Sequence, residues 1–250
     1  MNSDSRISTH SWRVTHTNRA PNAVVLPSGE VECNAPRSAQ VLLDGHMSTD
    51  PDNNIRDYFW FVNDEPIETI GPLVPTSLPF GSSTIKLELT DTRLSFDTAV
   101  STVTVVDTTP PQFTAASITP SCIWPPTHEY VRFELGTEIL ASVTDVCDPS
   151  STVRVRRVIS NEPDNGIGDG NTTHDVIFGN NGFCVRAERS NRGTGRTYAV
   201  ELESVDASGN VTTHDIDVVV PRDQRGCPSL SKATFLSDAE AAAQCVFEAP

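Results

Sequence analysis

From Ala23 to Pro221 the chain is a succession of short β-branched and aromatic runs, cut apart by turns rich in Pro, Gly and Asp. AVVL, AQVLLDG, DYFWFVN, STIKLELTD and AVSTVTVVD come first. YVRFEL, EILASVTD, TVRVRRVIS, DVIF, FCVRAER, TYAVELESVD and HDIDVVVP follow. Such runs read as strands, and nowhere between 23 and 220 do apolar residues recur with the period of a helix. In the aromatic run, alternation sends Tyr58, Trp60 and Val62 to one face, with Trp60 as the plug of a core. Val153, Val155 and Arg157 share one parity against Arg154, Arg156 and Val158, while Tyr198, Val200 and Leu202 oppose Ala199, Glu201 and Glu203. An all-β chain is the expectation.

Strands of this spacing point to two tandem immunoglobulin-like β-sandwiches with a short C-terminal helical tail. The 250 residues leave room for two cores, and a hydrophobic content of 37% suits thin sandwiches with much surface. Asp107-Thr-Thr-Pro-Pro111 reads as a semi-rigid joint, because its prolines block ladder bonding and hold the backbone extended. The expected order is a disordered segment over 1–21, sandwiches over 22–107 and 108–224, and a tail over 225–250. In the tail Ser237, with Glu240 three positions on and alanines following, forms a capping box that opens a short helix.

The formal charge of −15 argues against nucleic acid or an anionic membrane as partner. No stretch is apolar for the roughly 20 residues that membrane insertion requires. Met1 to Ala20 has no apolar core of a signal peptide, so an export signal removed earlier, or a piece of a longer chain, is expected. The six cysteines lack C-x-x-C spacing and read as structural disulfides of a secreted or cell-surface protein. Cys227 and Cys245 bracket the tail helix and are expected to pair. Cys147–Cys184 would tie the base of an acidic loop to its return strand, and Cys33–Cys122 would clamp the two modules.

That acidic loop, in Ser160–Ser190, is too rich in Gly and Asn for regular structure. Hard cations such as Ca²⁺ take about six to eight oxygens in flexible geometry, which converging carboxylates supply. The candidate metal ligands are Asp145, Asp148, Glu162, Asp164, Asp169 and Asp175. An alternative stands beside calcium: an ion-pair net in which Arg186, Arg189 or Arg196 holds Glu162 or Glu188. Plain solvated acids are the third reading. His128, His174 and His214 are too scattered for a transition metal, and His128-Glu129 lacks the second histidine of H-E-x-x-H. No G-x-S-x-G elbow is present. A carboxylate pair such as Asp169 and Glu188 is a weak basis for glycoside cleavage in a chain with only 6% aromatics.

Two resemblances sharpen this. Val41–Asp52, followed by Tyr58-Phe-Trp60 and Leu87–Asp91, resembles the PKD (polycystic kidney disease) domain pattern over residues 22–107, with Trp60-Phe-Val-Asn-Asp64 in place of the family's W-D-F-G-D-G. It implies a sandwich that serves as spacer or binding module, with calcium in some relatives near Asp50, Asp52 and Asn53. From 108 to 224 the chain resembles the HYR (hyalin repeat) and immunoglobulin-like units of bacterial secreted proteins. The matching signatures include Trp124-Pro-Pro-Thr-His128, Asp145-Val-Cys-Asp148, Gly195-Arg-Thr-Tyr198 and Asp206-Ala-Ser-Gly-Asn210. That resemblance implies a sandwich used in adhesion or display, and relatives often place the partner of the first cysteine where Ser204 stands. The resulting expectation is a non-catalytic, calcium-stabilised adhesion or spacer module, a monomer or part of a longer chain, meeting a surface protein or glycan. The alternative is a carbohydrate-binding accessory module of a secreted hydrolase, with Trp124 as its best aromatic.

Overall fold

In the computed structural model, which describes residues 17–166, 169–170, 172–227 and 233–249, the alternation of the sequence becomes two stacks of strands. They fall into two compact units, Met1–Val106 and Asp107–Pro250. The first holds β1 (Gly29–Glu32), β2 (Ser38–Asp44), β3 (Ile55–Val62), β4 (Glu65–Pro66), β5 (Leu73–Pro79), β6 (Gly81–Asp91) and β7 (Phe96–Val106). One sheet runs β1-β7-β6-β3-β4 and the other is the β2-β5 pair. Trp60 on β3 is buried with Ile85, Leu87, Leu89, Leu43, Val74 and Leu78. Its indole Nε1 donates to the Gly71 carbonyl at 2.8 Å, so the polar end of the plug is satisfied. This pairing pattern around a buried Trp is immunoglobulin-like.

Two strand expectations need correction here. AVVL contributes only an isolated bridge between Leu26 and Asp44. β5 escapes the sequence reading because Pro75 and Pro79 interrupt it; its ladder needs only one side, since β2 is its sole partner in the sheet. Of the segment expected to be disordered, 1–16 lies outside the described residues. The rest is held: the Asn18 amide donates to the Asp91 carboxylate, and Arg19 pairs with Asp52 at 3.1 Å.

The second unit holds β8 (Gln112–Ile118), β9 (Tyr130–Glu134), β10 (Ile139–Thr144), β11 (Thr152–Ser160), β12 (Val176–Gly179), β13 (Gly182–Arg186), β14 (Gly195–Val205), β15 (Val211–Pro221) and β16 (Phe235–Leu236). Sheet β11-β14-β15 and sheet β12-β13-β9-β16, with the β10-β8 pair, enclose Ile123, Phe133, Val155, Phe183, Val200, Leu202, Val218 and Val220. The simple parity read for β11 fails because the register against β14 shifts between Val155 and Arg157. That bulge brings Val155 and Val158 both to the core and leaves Arg154, Arg156 and Arg157 outside. The three arginines pair with Glu201 and Glu203 across the ladder. Hydrogen bonds from Arg156 lead the effects that hold the Glu201 carboxyl below its usual range.

The tail belongs to this second unit. β16 pairs with β9, and α1 (Asp238–Gln244) starts at the expected capping box, in which Ser237 and Glu240 serve each other's backbone amides. Leu236, Ala241 and Cys245 pack on Tyr130 and Cys184, with Ile177 and Phe247 beside them. β13 is therefore buried on both faces, with Phe183 and Val185 toward the main core and Cys184 toward the tail. This overturns the expected pairing of cysteines. Cys122 bonds Cys227 and Cys184 bonds Cys245, so Cys227–Cys245, Cys147–Cys184 and Cys33–Cys122 are not formed. Cys33 and Cys147 are oxidised as well. Sequence proximity misled, because the tail helix is folded back onto a sheet and each of its flanking cysteines meets a different strand region.

Candidate functional site

Alternation along β14 explains the centre of the acidic loop. Arg196 has the same parity as Tyr198, Val200 and Leu202, so it points inward at the mouth of the core and is fully buried. A buried guanidinium is unfavourable unless charge and hydrogen bonds surround it. The excursion between β11 and β12, with Glu188 from the segment after β13, supplies them. Arg196 Nε faces Glu162 Oε2 at 3.3 Å, Nη2 faces Asp169 Oδ2 at 3.4 Å, Nη1 faces Glu188 Oε1 at 3.3 Å, and Nη1 also bonds Asp175 Oδ2. The Tyr198 hydroxyl lies 3.3 Å from Nη1 and donates to the Arg186 carbonyl. Asp169, Asp175 and Glu188 are all buried, and one oxygen of each lies within 4.8 Å of the others. These acids face Arg196 as counter-ions, the geometry of the ion-pair net.

The remaining candidates go elsewhere. Asp164 accepts from the backbone amides of His174 and Asp175, bonds that hold its carboxyl below the usual range. Asp145 and Asp148 lie past the far end of β14, which at ~3.3 Å per residue is roughly 30 Å away. Asp145 accepts from the amides of Cys147 and Asp148, and Asp148 from Ala207. The six residues expected to surround one calcium ion are thus divided between two ends of the sandwich. At the far end Asp145 forms a second acidic trio with Asp107 and Asp206, again with one oxygen of each within 4.8 Å. Burial, and then repulsion from Asp206 and Asp145, pushes the Asp107 carboxyl up despite a bond from Ser208. Asp206 sat in view, in Asp206-Ala-Ser-Gly-Asn210, but that signature reads as a turn. The trio could be found only by knowing that the strand before Asp145 and the β14–β15 turn share an end.

Four acids around one guanidinium leave negative charge over. Burial, and next a hydrogen bond with Glu188, pushes the Asp175 carboxyl up to about 7 against the pull of Arg196. For Arg196 burial opposes the charge, but Tyr198 and Asp175 outweigh it and raise its affinity for the proton. Arg189, offered as a partner for these acids, instead donates to the carbonyls of Pro221 and Arg222. His128 reaches Glu188 Oε2 at 3.4 Å, and Gly170, at φ +104°, leaves room for its ring: a Cβ there would lie 2.9 Å from Nδ1. Trp124 is half-buried. The more exposed aromatics are Phe59 and Phe96, 41% and 69% accessible, which the register of β3, β6 and β7 places on one outer sheet face.

No protein-family model matches this sequence, and no curated protein does. Among solved structures the chain is similar to the glucan-locus protein SGBP-B of Bacteroides ovatus, crystallised with a mixed-linkage heptasaccharide, at 15% identity and a TM-score of 0.29, covering 81% of this chain and 47% of that one. It is similar to immunoglobulin domains 1–4 of Sidekick-1 at 15% identity and a TM-score of 0.37, covering 81% and 49%. It is similar to the fibronectin(III)-like modules of Clostridium thermocellum CbhA at 10% identity and 0.27, covering 80% and 94%. The chain spans about half the length of the first two. Likeness this distant adds nothing to what the geometry argues.

Proposed function

We propose that the chain is a non-catalytic module of a secreted or surface protein, a spacer or adhesion unit whose sheets and loop tips meet a partner. The observation that carries this reading is the closure of the acidic loop. Its carboxylates are spent on Arg196 and on backbone amides, and the unit is stapled by disulfides that belong to an oxidising compartment. The second reading, carbohydrate recognition, has one observation in its favour: Phe59 and Phe96 exposed on one face. A glycan array decides between them. The spacer reading expects no saturable binding. A glycan bound by the intact chain and lost in Phe96→Ala would transfer the assignment to carbohydrate recognition.

Calcium belongs in this reading only at Asp107, Asp145 and Asp206, where three hard carboxylate oxygens converge and the charge of the ion would relieve their repulsion. The expected result is a higher melting midpoint in millimolar Ca²⁺ than in EGTA, with the difference abolished in Asp107→Asn. Equal midpoints for the unaltered protein would remove calcium and leave the spacer reading standing.

A further inference from the structure

Two buried polar atoms in the second unit lack a hydrogen-bond partner and face each other: Asp175 Oδ1 and Arg186 Nε, 3.9 Å apart. Arg186 is nearly inaccessible and holds several elements at once. Its Nη1 donates to the His128 carbonyl at 2.9 Å and to Asp238 Oδ1 at 2.8 Å, and its Nη2 donates to the Tyr130 hydroxyl at 2.9 Å. The guanidinium also lies over the Tyr130 ring at 4.1 Å. Asp238 is the first residue of α1, so one side chain touches both the acid cage and the C-terminal strap.

We propose that the strap formed by β16 and α1 is a pH-responsive latch whose moving part is Arg186: it grips Asp238 while Asp175 is protonated, and turns toward Asp175 when that carboxyl ionises. This goes beyond the spacer reading and does not depend on it. The balance follows from burial. Asp238 is 76% accessible in its side chain, and an ion pair with so exposed a partner contributes little in water. An ionised, buried Asp175 oxygen without a donor is far more costly than a lost surface pair. Closing 3.9 Å to hydrogen-bond distance satisfies two buried atoms at the expense of one exposed contact.

The charged groups around Asp175 pull in both directions. Glu188 from the segment after β13, with Asp169 and Glu162 from the loop, oppose its ionisation, whereas Arg196 from β14 and Arg186 from β13 favour it. Asp164 binds the Asp175 amide, the neighbouring His174 is exposed, and His128 touches the cage through Glu188. On the strap side Arg186 meets Asp238 and Tyr130. The rise of the Asp175 carboxyl to about 7, caused first by burial and then by Glu188, places the transition near neutrality.

Hydrogen exchange of the full chain, oxidised and with protection factors corrected for intrinsic rate, reads the latch directly. The amides of Ala241 in α1 and of its C-cap Cys245, which bond the Ser237 and Ala241 carbonyls, are expected to lose about tenfold in protection between pH 5.5 and 8.5, the equivalent of one pKa unit of coupling. In Asp175→Asn, which keeps the shape, protection should stay at its low-pH level throughout. In Asp238→Asn it should be low at both pH values. Unchanged protection across this range in the unaltered chain, or an equal fall in Asp175→Asn, overturns the proposal. Should Asp175→Asn not fold, carboxyl NMR of the unaltered protein replaces it: the Asp175 titration and the loss of α1 protection must share a midpoint, and separate midpoints overturn the latch.

Discussion

Replacing Arg196 with methionine is expected to lower the stability of the second unit by ~3–5 kcal/mol, because it leaves buried carboxylates without their central cation. At roughly 2–4 °C per kcal/mol for a unit of this size, the melting midpoint falls by about 10 °C. Arg196→Lys keeps the charge but not the fork that reaches several acids at once, so it should fall between the two. The loss has a characteristic pH dependence. Asp175 has a folded pKa of about 7 against the ordinary 3.8, so the folded state holds more protons between those values and its stability falls as pH rises through that window. Removing Arg196 takes away the cation that pulls the Asp175 carboxyl down, and the deficit of the methionine variant should therefore shrink as pH is lowered from 8 to 5. Calorimetry at the two pH values checks both points; a deficit under 1 kcal/mol at pH 8 would mean that the cage is solvated, contrary to its burial.

The second large effect is expected from Cys122→Ala/Cys227→Ala. The bond closes 105 residues of sequence, and chain-entropy arithmetic gives about 4.7 kcal/mol for a loop of that order. It also fixes the start of the tail beside the segment where Cys122 bridges Val219 on β15. Denaturant unfolding should show a lower midpoint and a steeper slope, because the uncrosslinked denatured chain exposes more surface, and non-reducing peptide maps of the unaltered chain should link the peptides of Cys122 with Cys227 and of Cys184 with Cys245. Stability within 1 kcal/mol of the parent would show that packing alone holds the tail.

Much of the architecture was legible in local pattern. Trp60 as a core plug, the ladder of Tyr198, Val200 and Leu202, and the Ser237–Glu240 box depend on a few neighbouring residues, and the structure has them in place. What local pattern misses is what distant segments do to each other. The β11 bulge reverses the side of Val158 because Glu201 faces the arginines across a ladder that sequence cannot register. β5 carries prolines that only its one-sided pairing tolerates. Arg196 was named among three arginines that could hold the loop, but its inward parity decides the matter only once the sheet has an inside. The tail's cysteines bracket a helix so neatly that their separate destinations on the sandwich are hidden.

The bond between Cys184 and Cys245 has a mechanical consequence. Tension arriving from beyond Cys245 passes through sulfur straight into β13, a strand in the middle of its sheet. Everything between those two residues, Arg196, Glu188 and the tail helix included, is bypassed by the load. A pull on that end therefore cannot peel α1 from β9 and β13; it must shear the sheet itself.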